Sequence, residues 1–157
     1  MKAMPTLEGG LRIDAEDASD WELFRSIIVD ANGCTIDLAS RLGGLITEEA
    51  GGADWEEYVV PDLREEFQDE LAQVGAAIES AIFHANRAAG PVWITPEDAM
   101  PWYGALNQAR LAIEERFHFG SDEDPHPEGL NPEQHAAYVR SGFYGDIQML
   151  LLKYVIK

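Results

Sequence analysis

The segment from Thr95 to His118 carries the strongest helix signal in the chain and constrains the fold most. Thr95 and Asp98 have the spacing of a capping box, and Pro96 suits the first helical position. Pro101 would remove a backbone hydrogen bond beyond the first turn, so we expect either a kink there or a helix start near residue 99. The apolar residues that follow recur at helical spacing, which indicates one buried face. They are Trp102, Leu106, Ala109, Ile113 and Phe117.

Two patterns precede this helix. Residues 10–14 (GLRID) alternate weakly between apolar and polar side chains and could form one short strand. From residue 20 to residue 46, apolar residues recur at helical spacing without a break, and Ser19 and Glu22 form a capping box. That register predicts one long helix, in which Gly33 costs roughly 1 kcal/mol. Two helices broken at Gly33 is the alternative, because Asn-Gly often marks a turn.

The chain is then predicted to form a loop up to residue 60, with Trp55 and Tyr58 pinning it to the body of the protein. Pro61 suits the first position of a second helix, because proline is tolerated where the backbone N–H has no helical partner. Apolar residues continue at helical spacing as far as residue 85. Gly90 and Pro91 are expected to end this helix.

The C-terminal part of the chain begins with an acidic loop at residues 119–130 (FGSDEDPHPEGL), which we expect to be mobile. Asn131, Pro132 and Gln134 then supply the cap and the start of a last helix that runs to about residue 155. Almost every side chain after Ile147 is apolar, so this helix is either central in the fold or carries a self-association surface. Its predicted buried face consists of Ala136, Phe143, Ile147, Leu150 or Leu151, and Tyr154.

These patterns predict an all-α fold with four main helices in a bundle-like array and a possible short N-terminal β-strand. The 157 residues suit a single helical domain, residues 1–157, of which we expect residues 1–9 to be flexible. Hydrophobic residues make up 46% of the chain, so a sizeable core can form without disulfides or metals.

The charge of the chain limits its partners. There are 29 acids against 11 bases, which gives a net charge of −18. Such a surface repels phosphate backbones and anionic lipids, so we expect no nucleic-acid or membrane binding. Ten acids and one base lie between Glu48 and Glu70. This cluster is either a solubilising surface, which we favour, or a docking face for a basic protein partner.

The cysteine content and the N-terminal sequence indicate a cytoplasmic location. Cys34 is the only cysteine, so no intramolecular disulfide can form, and we expect it to pack as a small apolar group. No apolar run follows Lys2, as a secretory signal would require. The most apolar stretch, residues 147–156, is half the length of a membrane span.

A metal hypothesis rests on Glu114, Glu115 and His118, which lie on neighbouring turns of the predicted third helix. Glutamate and histidine at this spacing bind iron or manganese in four-helix carboxylate proteins. Those sites need a second Glu–His pair on another helix, and the sequence does not provide one. We therefore favour a histidine that interacts with the helix end, and we expect no metal or other cofactor.

No pattern typical of an enzyme is present, since the chain lacks the nucleotide-binding, serine-hydrolase and metalloprotease motifs. We therefore lean away from an enzymatic activity. Arg110 lies at the edge of the apolar stripe of the third helix and Asn107 further round, where arginine usually covers the core and pairs with an acid. We select Trp102, Asn107 and Arg110 as candidates for an interaction site or a polar network.

The run WYGALNQARLAIEER, residues 102–116, resembles the bacterial family called domain of unknown function 2017. Its pattern has a tryptophan before Ala-Leu-Asn, then Arg-Leu and a further arginine, and Trp102, Asn107, Arg110 and Arg116 stand in those places. The preceding Thr-Pro-Glu-Asp and the leucine-rich last helix are also similar. The resemblance implies an all-helical fold without an established activity. In some bacteria such genes lie near that of the Clp protease adaptor, which suggests a link to regulated proteolysis.

The function predicted from these observations is that of a non-enzymatic protein-interaction or regulatory module, with a possible link to Clp-type proteolysis. One alternative is a small helical metal-binding protein or enzyme with a site near Glu114, Glu115 and His118. The other alternative is a structural homodimer that forms through the C-terminal helix.

Overall fold

A computed structural model describes residues 1–34, 37–46, 55–119 and 127–157. A π-helical turn at Trp55–Val59 leads directly into the helix that begins at Val60, and a 3-10 turn at Pro127–Gly129 precedes the helix that begins at Pro132. The strands are β1 (Lys2–Pro5), β2 (Leu11–Ala15) and β3 (Gly90–Ile94). The helices are α1 (Ala18–Ala31), α2 (Leu38–Ile46), α3 (Val60–His84), α4 (Ala99–Phe117) and α5 (Pro132–Tyr154).

The predicted mainly helical fold is confirmed, but the fold is not all-α, because it also contains a three-stranded antiparallel sheet in the order β1-β2-β3. The described residues form five α-helices, where four main helices were predicted. The predicted strand is confirmed as β2, in which Leu11, Ile13 and Ala15 are buried and the residues between them are half-buried. The first residues, which we expected to be flexible, pair with β2 as strand β1. Strand β1 has only four residues, all exposed, so it shows no alternation that would indicate a strand.

The prediction of one helix from residue 20 to residue 46 is also wrong, and the alternative break at Gly33 is confirmed. Helix α1 ends at Ala31, and α2 begins at Leu38. At the end of α1, the side-chain amide of Asn32 donates to the carbonyl of Ile28 at 3.0 Å, and the backbone N–H of Gly33 donates to Asp30. These local bonds satisfy the last carbonyls of α1 and turn the chain.

Helix α3 ends at His84, before the predicted end at Gly90. Asn86 and Arg87 both have left-handed backbone angles, with φ of 51° and 60°, and this reverses the chain into β3. A side chain at Gly90 would collide with Ala85, so glycine permits the close approach of β3 to the end of α3. At the other end of α3, the prediction that Tyr58 pins the preceding loop to the body of the protein is wrong, since Tyr58 is 65% exposed.

Some predictions for the loops lie outside the described part of the chain. The side chain of Trp55 is among them, and so are residues 47–54 of the predicted loop. Residues 120–126 of the acidic segment also lie outside it.

The true start of the helix predicted at Thr95 is Ala99, as the alternative start near residue 99 anticipated. Thr95 and Asp98 do interact, because the Thr95 hydroxyl donates to the Asp98 carboxylate at 2.8 Å and accepts from its backbone N–H. The pair forms a turn between β3 and α4. Pro101 is then the third helical residue, where no backbone N–H has a helical partner, so it causes no disruption.

The cap predicted for the last helix is confirmed, with reciprocal hydrogen bonds between Asn131 and Gln134. The face of α5 that is buried differs from the prediction, since Ala136 is exposed and Tyr144 is fully buried. The core side of α5 consists of Ala137, Tyr144, Ile147, Gln148 and Leu151. No described helix is both long and apolar enough to cross a membrane.

A polar network of four side chains joins α1 to α5. Arg140 donates from Nε and Nη2 to the two carboxylate oxygens of Asp30, at 2.7 and 3.0 Å. The hydroxyl of Tyr144 donates to the same carboxylate at 2.6 Å and lies 2.6 Å from the hydroxyl of Ser26. Burial is the main cause that raises the pKa of Tyr144, and the neighbouring Asp30 adds to it. The network fixes how α5 packs on α1.

Candidate protein-interaction surface

The three candidate residues on α4 do not lie together. Trp102 is 1% exposed and packs edge-to-face on Phe24, with ring centroids 6.4 Å apart, so it belongs to the core. Arg110 donates from Nη1 to the side-chain oxygen of Gln148 at 2.6 Å, and Gln148 donates to the carbonyl of Tyr103 at 3.2 Å. This chain of hydrogen bonds ties α4 to α5. Asn107 is exposed on the outer side of α4.

Of the three residues of the metal hypothesis, Glu115 and His118 line one pocket near the end of α4. Glu115 lies 3.4 Å from the guanidinium of Arg41 on α2, so an ion pair already engages its carboxylate. His118 caps the end of α4 in a left-handed conformation with φ of 51° and is exposed. Among the described residues, no three His, Cys, Asp or Glu side chains converge in a way that could hold a metal ion.

Cys34 is half-buried next to this ion pair. Burial, followed by a hydrogen bond with Glu115 and then by the negative charge of Glu115, raises the pKa of its thiol to about 11. Since the thiolate is the nucleophilic form, the raised pKa disfavours a nucleophilic role for this thiol near neutral pH. The position agrees with a packing role.

A groove of about 470 Å³ runs between the first half of α3 and the first turn of α4. Five carboxylates line it from positions three and four residues apart, so one face of α3 supplies all of them. Met100, which is 60% exposed, and Pro101 form the opposite wall. No lysine or arginine of the described chain lines the groove. Its carboxylates are those of Asp62, Glu65, Glu66, Asp69 and Glu70.

Two side-chain contacts hold the walls of this groove together. Gln73 on α3 donates to the carboxylate of Asp98 at 3.0 Å, and the buried Gln108 on α4 donates to Glu70 at 2.8 Å. Glu70 rests on Gly104, where a Cβ atom would collide with its carboxylate. Glycine at this position of α4 therefore leaves room for the Glu70 carboxylate.

Burial is the main cause that raises the pKa of Glu70, and the nearby charge of Glu66 adds to it. Because the pKa of Glu70 is higher in the folded state, ionisation of this carboxyl group opposes folding. Its contribution to the free energy of unfolding is fully present below its unfolded pKa. That contribution is lost as the pH rises through its folded pKa. The charge of Glu66 thus opposes the ionisation of Glu70 in the free protein. A cation in the groove would relieve that repulsion.

The fold and the groove define a mostly helical, strongly acidic protein with a small antiparallel sheet. The chain belongs to the family described as domain of unknown function (DUF2017), which it matches over residues 44–155. This confirms the resemblance seen on α4. The match begins after β1, β2 and α1, although β2 pairs with β3 and α1 packs closely on α4. No curated protein and no solved structure matches the chain significantly.

The amino-acid sequence indicated the acidic groove only in part. The excess of acids between Glu48 and Glu70 was visible, and so was the helix that begins near Pro61, on which five of these acids share one face. The opposite wall could not be foreseen, since it requires that the start of α4 lies beside α3.

Proposed function

We propose that this protein is a non-enzymatic interaction or regulatory module of the cytoplasm, and that the acidic groove binds a basic segment of a partner protein. The observation that carries the proposal is the groove itself, where five carboxylates face an exposed methionine without a basic side chain between them. Arginine or lysine side chains would pair with the carboxylates. An apolar side chain of the same segment would cover Met100, as an anchor residue does at many interfaces.

The electrostatics of the chain support a basic protein as the partner. A net charge of −18 attracts a basic segment at long range and speeds its association. The same charge repels nucleic acids and anionic membranes, so we propose neither as a partner. The carboxylates on α3 are largely exposed, so salt should weaken the interaction by screening.

The first partner to test follows from the resemblance, which links this family to the Clp protease adaptor. We propose this adaptor as a candidate on that ground alone. The purified adaptor and a lysate of the source organism should both be passed over the immobilised protein, at low and at moderate salt. Under this proposal one protein is retained at near-stoichiometric level at low salt and is largely lost at moderate salt.

Removing two charges from the groove should release the partner. The double variant Glu65→Gln/Glu66→Gln keeps the size of both side chains, and we expect it to retain at least about tenfold less partner, which corresponds to 1.4 kcal/mol. The matched control is Glu128→Gln/Asp146→Asn, which removes two exposed charges outside the groove. Mass spectrometry of the retained fraction gives the amounts. Equal loss with both variants would mean a general charge effect, and the groove would not be the binding site.

A further inference from the structure

Helix α5 exposes an apolar stripe that faces away from the core. Its residues are spaced by four, three, four and three, so they form one seam along the helix. Tyr138, Met149 and Leu152 are 37%, 61% and 53% exposed. Tyr138 also contacts the ring of Phe119 edge-to-face, with centroids 5.8 Å apart. The α5 stripe consists of Tyr138, Gly142, Gly145, Met149 and Leu152.

The two glycines of the α5 stripe are not required by the fold of the single chain. A Cβ atom at Gly142 would meet nothing within 4 Å, and one at Gly145 would lie 3.6 Å from the guanidinium of Arg110, an ordinary contact. Neither has a positive φ. Each glycine inside a helix costs about 1 kcal/mol relative to alanine. What glycine uniquely permits at such a place is the close approach of another backbone.

We propose that the α5 stripe is the interface of a homodimer in which two copies of α5 pack antiparallel. With the two-fold axis midway between residues 142 and 145, Gly142 of one copy faces Gly145 of the second. The same symmetry sets Tyr138 against Met149 of the second copy, an aromatic–thioether contact, at both ends of the seam. Small residues thus lie at the centre, where the helices are closest, and large residues fill the space on either side.

The distribution of charge favours a second copy of this chain as the occupant. Helix α5 contains two acids and two bases, whereas α3 contains six acids and one base. A second copy is repelled by most of the molecule, since each carries a net charge of −18, but not by α5. Antiparallel packing also separates Lys153 of one copy from Lys153 of the other along the axis, whereas parallel packing would place them side by side.

The test is the molar mass at tens of micromolar, measured by size-exclusion chromatography with light scattering. The wild-type protein should elute as a dimer of about 35 kDa, twice the chain mass of 17.4 kDa. Gly142→Leu should be monomeric, with a dissociation constant at least about tenfold higher. Its melting temperature, measured under dilute conditions where the wild type is also monomeric, should be equal or higher. The reason is that leucine favours the helix and the space above Gly142 is open.

Two further variants make the result decisive. Met149→Lys changes an exposed side chain of the α5 stripe and should also give monomers. Ala136→Leu adds the same kind of bulk to an exposed position of α5 outside the stripe and should remain dimeric. A monomeric wild type overturns the proposal, and so does a Gly142→Leu protein that stays dimeric. The groove and the α5 stripe lie on different helices, so this result is independent of the proposed basic partner.

Discussion

Replacing Trp102 with alanine should lower the free energy of unfolding by about 3–5 kcal/mol, the range found for large-to-small changes of buried aromatic residues. Trp102 is 1% exposed, so its removal leaves a cavity at the contact between α4 and α1. For a chain of this length the melting temperature should fall by roughly 10 °C. Thermal unfolding followed by circular dichroism measures the change.

The same measurement on two variants of Trp102 also decides whether it is a core residue or an interaction residue. Trp102→Phe should recover a substantial part of the stability, since a smaller aromatic ring can still pack on Phe24. If Trp102 were instead an interaction residue, alanine would leave the melting temperature within about 1 °C of the wild type and would weaken partner retention alone. Such a result would contradict the position of Trp102 in the core.

Replacing Asp30 with alanine should cost about 3 kcal/mol, because it leaves Arg140 and the buried hydroxyl of Tyr144 without their shared acceptor. The Asp30 side chain is 11% exposed and that of Arg140 25%, so water can replace the lost bonds only in part. Urea unfolding monitored by tryptophan fluorescence gives the free energy.

The matched control for this change is Asp146→Ala, an exposed aspartate on α5, which should alter the free energy of unfolding by less than about 0.5 kcal/mol. Tyr144→Phe should be milder than Asp30→Ala, since it removes one hydrogen bond and keeps the ion pair. An Asp30→Ala protein as stable as the control would show that the network does not hold α5 on α1.

The amino-acid sequence predicted the elements whose signals are local. The cap at Asn131 and the strand at β2 depend on neighbouring residues, and both are present. The apolar register through Gly33 was misleading, because it continues by coincidence across the turn that Asn32 makes. Strand β3 depends on a partner far away in the chain, so no local pattern could indicate it, and the four residues of β1 are all exposed and show no alternation.

The candidate site was less predictable than the fold. Arg110 was expected to pair with an acid, but its partner is the amide of Gln148 on α5, which no sequence spacing indicates. Tyr144 and Gln148, which carry polar groups, were not assigned to the predicted buried face of the last helix. Both are buried because Asp30 and the backbone of Tyr103 satisfy those groups.

The most direct test of the proposed function is hydrogen–deuterium exchange of the protein with and without the partner retained at low salt. We predict slower exchange in the first half of α3, residues 60–73, and in the first turns of α4, residues 99–108, with the rest of the chain unchanged. Slower exchange that is confined to α5 or to the sheet, or no partner to test, would contradict an acidic groove that binds a basic segment.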